Sequence, residues 1–283
     1  MEITRRGFLE GAAGTAAATA LAGRLEAAAT RLPATIKVGA CVVGLEQGKQ
    51  AGLDGIEVTV GGPADRLEIS KDEVRRRYKE EVKRLGLPIR SLQMGLLNEC
   101  PLATDPRGVS WLEQCIDAAR DLDAPVILVA FFGNGDLLDK GGRVKEADVD
   151  EVVRRLKAVA PRAKDAGVTL GIEDYLDAAA NARILDRVGH DAVKIYYDCY
   201  NTGGTKGYDV PAEIRFLKDR IVQFHFKNAD DFLETGKVRY SPIARAIREV
   251  DYRGWVVLET SSPTGNPVAD ARRNAEYVRS LFA

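Results

Sequence analysis

Histidine is nearly missing from this chain, which has only His190 and His225. That scarcity excludes chemistry built on a cluster of imidazoles, such as a His-rich trinuclear metal centre. Cysteine is sparse too: Cys41, Cys100, Cys115 and Cys199 contain no Cys-x-x-Cys pair, so neither a zinc ribbon nor a dithiol redox motif is present. Cys41 and Cys199 fall in apolar, strand-like runs where buried free thiols are common, and no pairing can be read from the spacing. Charge of one sign does not predominate either. The formal net charge is −1, which suggests no polyanion-binding surface and argues against nucleic acid as a partner. The densest basic run, Arg75 to Arg77, lies in a charge-mixed segment of helical spacing and reads as a solvated face. No apolar run is long enough to span a membrane. The best candidate, residues 11–23, is rich in alanine and glycine and falls short of the roughly 20 strongly apolar residues required.

What the amino terminus does contain is ordered. TRRGFL, with Arg5 and Arg6 adjacent, precedes GAAGTAAATALAG and then EAAAT. Paired arginines, a modestly apolar stretch and a small-residue cleavage pattern describe a twin-arginine export signal. Residues 1–29 are therefore expected to be removed after Ala29, leaving a periplasmic or secreted protein with no membrane association. Residues 30–283 then form one domain, close to the size of about 250 residues typical of a (β/α)8 barrel.

Eight apolar runs follow one another: Ile36–Val43, Gly55–Val60, Ile89–Met94, Val126–Phe132, Val168–Glu173, Val193–Asp198, Ile221–Phe226 and Trp255–Glu259. Between most of them lie amphipathic stretches of helical spacing, such as Lys71–Leu85, Trp111–Leu122 and Asp148–Ala166, and Ala269–Leu281 closes the chain. Strands alternating with helices predict a parallel sheet. Eight such units in one domain predict an α/β fold of the (β/α)8 TIM-barrel class rather than an open doubly wound sheet. The first unit is the thinnest, with only Leu45–Ala51 available for its helix. Gly52, Gly86 and Gly167 stand just past helix-like segments, as left-handed caps do. Two glycine-rich loops, from Gly133 and from Asn201, read as surface turns. Mobile lids or anion cradles use similar sequences, but neither loop matches a P-loop or a dinucleotide fingerprint.

The last four runs each end on a metal-binding type of side chain: VTLGIED on Glu173, VKIYYDC on Asp198, IVQFHFKN on His225 and WVVLET on Glu259. A carboxylate or imidazole is out of place as core filling, and in a barrel the carboxyl ends of the strands open into the active site. Taken singly, each residue has an ordinary alternative. Glu173 suits a helix cap, Asp198 a turn, His225 a satisfied core position and Glu259 a solvent-facing loop. Taken together, they share one strand phase on consecutive strands and so converge on one half of the barrel mouth. Three carboxylates and one imidazole make a hard, oxygen-rich site for one divalent ion: Mn²⁺, Mg²⁺, Co²⁺ or Zn²⁺.

In GIEDY, YYDCYN, QFHFKN and VVLET the chain resembles the xylose-isomerase-like TIM-barrel superfamily of sugar phosphate isomerases and epimerases. The separations of 25, 27 and 34 residues between Glu173, Asp198, His225 and Glu259 fit one βα unit each. The resemblance implies that these four are the metal ligands. It also implies that Lys227 contacts substrate oxygen, and that Glu259 with Glu173 moves a proton on and off the planar enediolate of a sugar. Other pocket candidates are Glu57 and Gln93 on the second and third strands, Asn201, Asn228, Phe132 and Trp255. His190, in the VGHDAV turn before the sixth strand, reads as structural. Two positions depart from the ketose 3-epimerase pattern: Asn201 stands where those enzymes place a histidine, and Ala179 where they place a second glutamate.

Three readings follow from the resemblance. One is a metal-dependent isomerase or epimerase of a sugar or keto-sugar, in carbohydrate metabolism. A second is a keto-sugar dehydratase or lyase eliminating from the same site, glycoside cleavage included. The third is a carbohydrate-binding barrel without turnover. The expected partner is a small-molecule sugar or keto-sugar. The sequence leaves the oligomeric state open, a homo-oligomer included.

Overall fold

In a computed structural model describing residues 36–283, the eight apolar runs become eight parallel strands. They are β1 (Lys37–Ala40), β2 (Gly55–Thr59), β3 (Ile89–Met94), β4 (Val126–Ala130), β5 (Thr169–Glu173), β6 (Val193–Asp198), β7 (Ile221–Phe226) and β8 (Trp255–Leu258). Each pairs with its sequence neighbours, and β8 returns to β1 through Lys37–Trp255 and Gly39–Val257, so the sheet is a closed barrel. The export signal and the expected cleavage point lie outside the described residues.

The helices are α1 (Leu45–Ala51), α2 (Asp72–Leu85), α3 (Gly108–Asp121), α4 (Glu146–Asp165), α5 (Ala178–Val188), α6 (Val210–Leu217), α7 (Tyr240–Glu249) and α8 (Pro267–Phe282). The thin first unit is real, since α1 has only seven residues. Local chemistry sets the helix ends. Asp177, Asp209 and Asn266 each accept a main-chain N–H two positions into the helix they precede, which satisfies an otherwise unpaired donor. Gly52 and Gly86 end α1 and α2 at φ 73° and 61°, a backbone conformation that glycine adopts without strain.

Alternation along each strand divides the core in two. Ile127, Val129, Ile195 and Tyr197 pack outward against the helices, in the large layer that includes Trp111, Leu112, Ile116, Leu156 and Ile247. Each aliphatic side chain fully buried there contributes about 1.5–3 kcal/mol of apolar transfer energy. Val126, Leu128, Ala130 and Tyr196 face inward and form a small separate cluster in the barrel. Gly171 lies beside them, where a Cβ would meet Tyr196 Cβ at 3.0 Å and Val222 at 3.1 Å. The missing side chain therefore leaves room for the tyrosine.

The strands are shorter at the mouth than the apolar runs. β1 stops at Ala40 rather than Val43, and β4 at Ala130 rather than Phe132. There the chain turns toward neighbouring loops, and Phe132 N–H donates to the Asn98 side chain instead of a strand. Glu259 lies one residue past β8, yet its N–H still donates to Phe226 O, so the ladder holds its backbone.

Both glycine-rich loops are built into the fold. Gly133–Gly135 forms a tight turn against the β3–α3 connection, where Cβ atoms at Gly133 and Gly135 would meet Asn98 O and Leu97 O at 2.9 and 2.6 Å. Tyr200–Lys206 forms a π-helical turn, tied to the next loop by Lys237 Nζ donating to Gly204 O.

The amino end of the barrel is filled. The Trp255 indole lies across Gly39 and Gly55, with a Cβ at Gly55 falling 2.7 Å from the ring. The Arg90 guanidinium and the Lys37 ammonium lie 5.4 and 5.5 Å from its centre. Trp255, expected at the cavity, is therefore a floor residue, because it opens β8 four positions before Glu259. His190 also sits on this lower side, its Nδ1 accepting from Ala192 N–H.

Candidate metal and acid–base site

The shared phase of β5 to β8 brings the four predicted ligands together. Glu173, Asp198, His225 and Glu259 each offer one ligand atom, all within 4.8 Å of one another. His225 Nδ1 lies 2.9 Å from Glu173 Oε1, 3.5 Å from Glu259 Oε2 and 4.0 Å from Asp198 Oδ2. Asp198 is aimed by the turn that follows it. Its Oδ1 accepts the N–H groups of Tyr200 and Asn201 at 2.7 and 2.6 Å, and its Oδ2 is buried with the Lys227 ammonium 3.1 Å away. A buried carboxylate oxygen balanced by a single ammonium, beside two more carboxylates and an imidazole, fits a hard divalent ion.

Electrostatics agree with that fit. Burial pushes the Glu173 carboxyl up to about 8, against the pull of His225, with Glu259 and Asp198 adding to the rise. Burial also raises Asp198, against the pull of Lys227. Burial would raise Glu259 as well, but His225 and Lys227 hold it below the usual range. His225 is moved well above its ordinary value, since Tyr196 and the surrounding carboxylates outweigh burial. Such crowding of acids is what a cation relieves.

Lys227 stands at the rim, with Nζ 2.6 Å from Glu259 Oε2 and 3.1 Å from Asp198 Oδ2. Tyr240 pins its backbone. The tyrosine hydroxyl accepts Lys227 N–H at 3.0 Å and donates to Lys227 O at 2.6 Å.

The remaining predicted residues are placed differently from one another. Gln93 is half-buried at an inward register position between Thr59 and Leu128. Asn201 reaches the cluster through its main chain. Phe132 stands at the mouth, its ring edge-on to Tyr175 at 4.8 Å. Asn228 is turned away from ligand contact. Its Nδ2 donates to Leu233 O and Val238 O, and its Oδ1 accepts from Val238 N–H, so the side chain holds the loop 228–238. Glu57 is 2% exposed and fully engaged by protein. Its Oε2 accepts from Ser91 and Tyr196 at 2.7 Å each, and its Oε1 lies 3.1 Å from His225 Nε2. The polar side-chain atoms of both residues are thus occupied by protein partners.

Sequence reasoning missed the layer below the ligands, formed by Ser91, Tyr196 and Gln223. A signal existed, because Tyr196 and Gln223 each precede a ligand by two residues and so share its face of the strand. Cys41 was also not singled out as a site residue, yet it forms a compact group with Glu57 and His225. Its thiol is directed to Leu258 O at 3.6 Å, and burial pushes it up to about 12. All four cysteines are free.

Comparison with known proteins follows this geometry. Residues 45–281 match the family described as xylose isomerase-like TIM barrel, and residues 2–22 match the twin-arginine translocation pathway signal sequence. The amino terminus thus marks the chain for twin-arginine export. Among the described residues no helix is long and apolar enough to cross a membrane. A curated relative, 2-epi-5-epi-valiolone 7-phosphate 2-epimerase from Actinoplanes sp., is 24% identical over 151 residues, 53% of this chain and 54% of its own. The chain thus aligns with about half the length of that relative. The crystal structure of D-allulose 3-epimerase from Methylomonas sp. in complex with D-allulose superimposes with a TM-score of 0.72 at 16% identity, covering 90% of this chain and 99% of that one. An L-ribulose 3-epimerase structure gives 0.70 at 22% identity, covering 88% and 95%. These two similarities establish the shared fold.

Proposed function

The chain belongs to the xylose isomerase-like TIM barrels, and on that premise we propose that it is a metal-dependent isomerase or epimerase of a sugar or keto-sugar. The observation that carries this reading is the convergence of Glu173, Asp198, His225 and Glu259 within 4.8 Å, with Lys227 at the rim. The epimerase activities of the relatives named above support it.

When bound, a divalent ion (Mn²⁺, Mg²⁺, Co²⁺ or Zn²⁺) held by those four residues would supply Lewis-acid stabilisation of charge developing on substrate oxygen. The protein's own groups do the rest. Glu259 is the base that takes a proton from the carbon next to the carbonyl. Its side chain is 28% exposed against 3% for Glu173, and His225 and Lys227 keep it ionised. Glu173, on the first of the four strands, is the partner that gives a proton of its own to the other side of the planar enediolate, ending ionised while Glu259 ends protonated. Lys227 offers its ammonium to the oxyanion. An exported enzyme meets free sugars, glycosides or keto-sugars more readily than phosphorylated metabolites, so the substrate class is unphosphorylated.

The test is a panel of keto-sugars with Mn²⁺, followed by proton NMR in D2O. Deuterium incorporation at one carbon, with an isomeric product and no other change in mass, is the expected result. Loss of water or release of an aglycone would assign the site to elimination instead. Binding without exchange would make the barrel a carbohydrate-binding protein.

A further inference from the structure

A chain of hydrogen bonds runs up the barrel interior from its floor to the histidine, and its direction is fixed at every link from Arg90 to Glu57. Arg90 can only donate, so Gln223 Oε1, 3.0 Å from Arg90 Nε, is the acceptor. That orients the Gln223 amide, whose Nε2 then donates to Ser91 Oγ at 2.9 Å and to Tyr196 OH at 2.7 Å. Each hydroxyl, already receiving one proton, turns its own toward Glu57 Oε2 at 2.7 Å. Glu57 Oε1 remains as an acceptor, 3.1 Å from His225 Nε2.

We infer that Glu57 is a positioning residue for the metal site: it holds the Nε2–H of His225, so that Nδ1, the nitrogen facing Glu173, Asp198 and Glu259, is the one that would give up its proton to a bound ion. This rests on the metal-site reading above and deepens it. Three observations carry it. Glu57, Ser91 and Gln223 are at most 2% exposed, so water does not compete for these bonds. The Tyr196 ring packs edge-on to the imidazole with centres 4.5 Å apart, which limits rotation. The polar side-chain atoms of Ser91, Tyr196, Gln223 and Glu57 all have partners inside the barrel, so the polarity set by Arg90 has no local alternative. A carboxylate on the far nitrogen of a metal-binding histidine both orients the ring and raises its basicity as a ligand, and losing such a partner typically costs about 10–100-fold in metal affinity.

Two measurements test this, neither depending on turnover. In the full chain labelled with ¹⁵N-histidine and loaded with Zn²⁺, only two imidazoles contribute, and a His190→Gln variant assigns them. The expected spectrum has His225 protonated at Nε2, with Nδ1 shifted by the ion. A protonated Nδ1 with the ion on Nε2 overturns the inference, and this reading needs no variant at Glu57. In the second measurement, Mn²⁺ is titrated calorimetrically without sugar. Glu57→Gln is expected to weaken binding by about 10–100-fold. Wild-type affinity within twofold overturns the inference, and if the same variant raises KM for the sugar, Glu57 is a substrate contact instead. A wild type that binds no Mn²⁺ removes the functional reading and this inference together. Tight wild-type binding with an indifferent variant removes this inference alone.

Discussion

Lys227 Nζ and Glu259 Oε2 lie 2.6 Å apart at the barrel mouth, and the same ammonium is 3.1 Å from Asp198 Oδ2. One cation from the protein therefore already stands against two of the oxygens assigned to the metal. A divalent ion bound there would compete with Lys227 for the same charge and would free the ammonium to turn toward substrate.

Replacing Lys227 with Met separates these roles. Mn²⁺ binding, measured by calorimetry, should tighten by about tenfold, equivalent to roughly 1.4 kcal/mol, because a like charge is removed. Turnover should fall by about 10²–10³-fold through loss of oxyanion stabilisation. Weakened metal binding would show instead that the lysine supports the site.

Glu259→Gln should reduce deuterium exchange into the sugar from D2O by about 10²–10⁴-fold, the usual contribution of a positioned base. Glu259 is also a ligand, so the comparison is made at saturating Mn²⁺ with bound metal determined separately. Full exchange at full occupancy would remove Glu259 as the base and shift that role to Glu173.

Asn228→Ala should destabilise the protein by about 3 kcal/mol in denaturant unfolding, since it strips partners from Leu233 O, Val238 O and Val238 N–H, at the buried positions of a largely exposed loop. The KM of the folded variant should be unchanged. A raised KM at wild-type stability would place the amide on the sugar after all.

Chelator-treated protein should lose stability as pH rises from about 5 to about 8. Burial raises the folded-state value of Glu173 to about 8 and of Asp174 to about 7. Across that window the folded state holds more protons than the unfolded state, and the slope of stability with pH is negative. His225, also raised, acts in the same direction above its ordinary value. Saturation with Mn²⁺ should flatten the slope to the share of Asp174, which is not a ligand. At a hundredfold excess over Kd the ion should add about 2.7 kcal/mol, or roughly 5–10 °C in Tm for a domain of this size. Thermal melts at pH 5, 6.5 and 8, with and without the ion, measure both effects.

The sequence made the barrel legible because strands buried on both faces stand out as apolar runs, and because each helix between them has its own polar face. It made the four ligands legible for a related reason. Glu173, Asp198 and Glu259 end such runs, His225 lies one residue before the end of another, and consecutive strands of a closed barrel are neighbours. What it hid were contacts across the barrel. Glu57 belongs to β2 and His225 to β7, and only the curvature of the closed sheet brings them within 3.1 Å. Trp255, one of the cavity candidates, packs instead at the start of β8, at the opposite end from Glu259. Asn228, next to Lys227 in sequence, has its side chain turned by the loop 228–238, whose path is not encoded in any local periodicity.

The indole of Trp255, wedged over Gly39 and Gly55 with Arg90 and Lys37 against it, closes the amino end of the barrel. Whatever binds near Glu259 arrives and departs through one door. Two isomers sharing that entrance exclude each other, so product should inhibit competitively and the net flux should follow whichever isomer is removed outside.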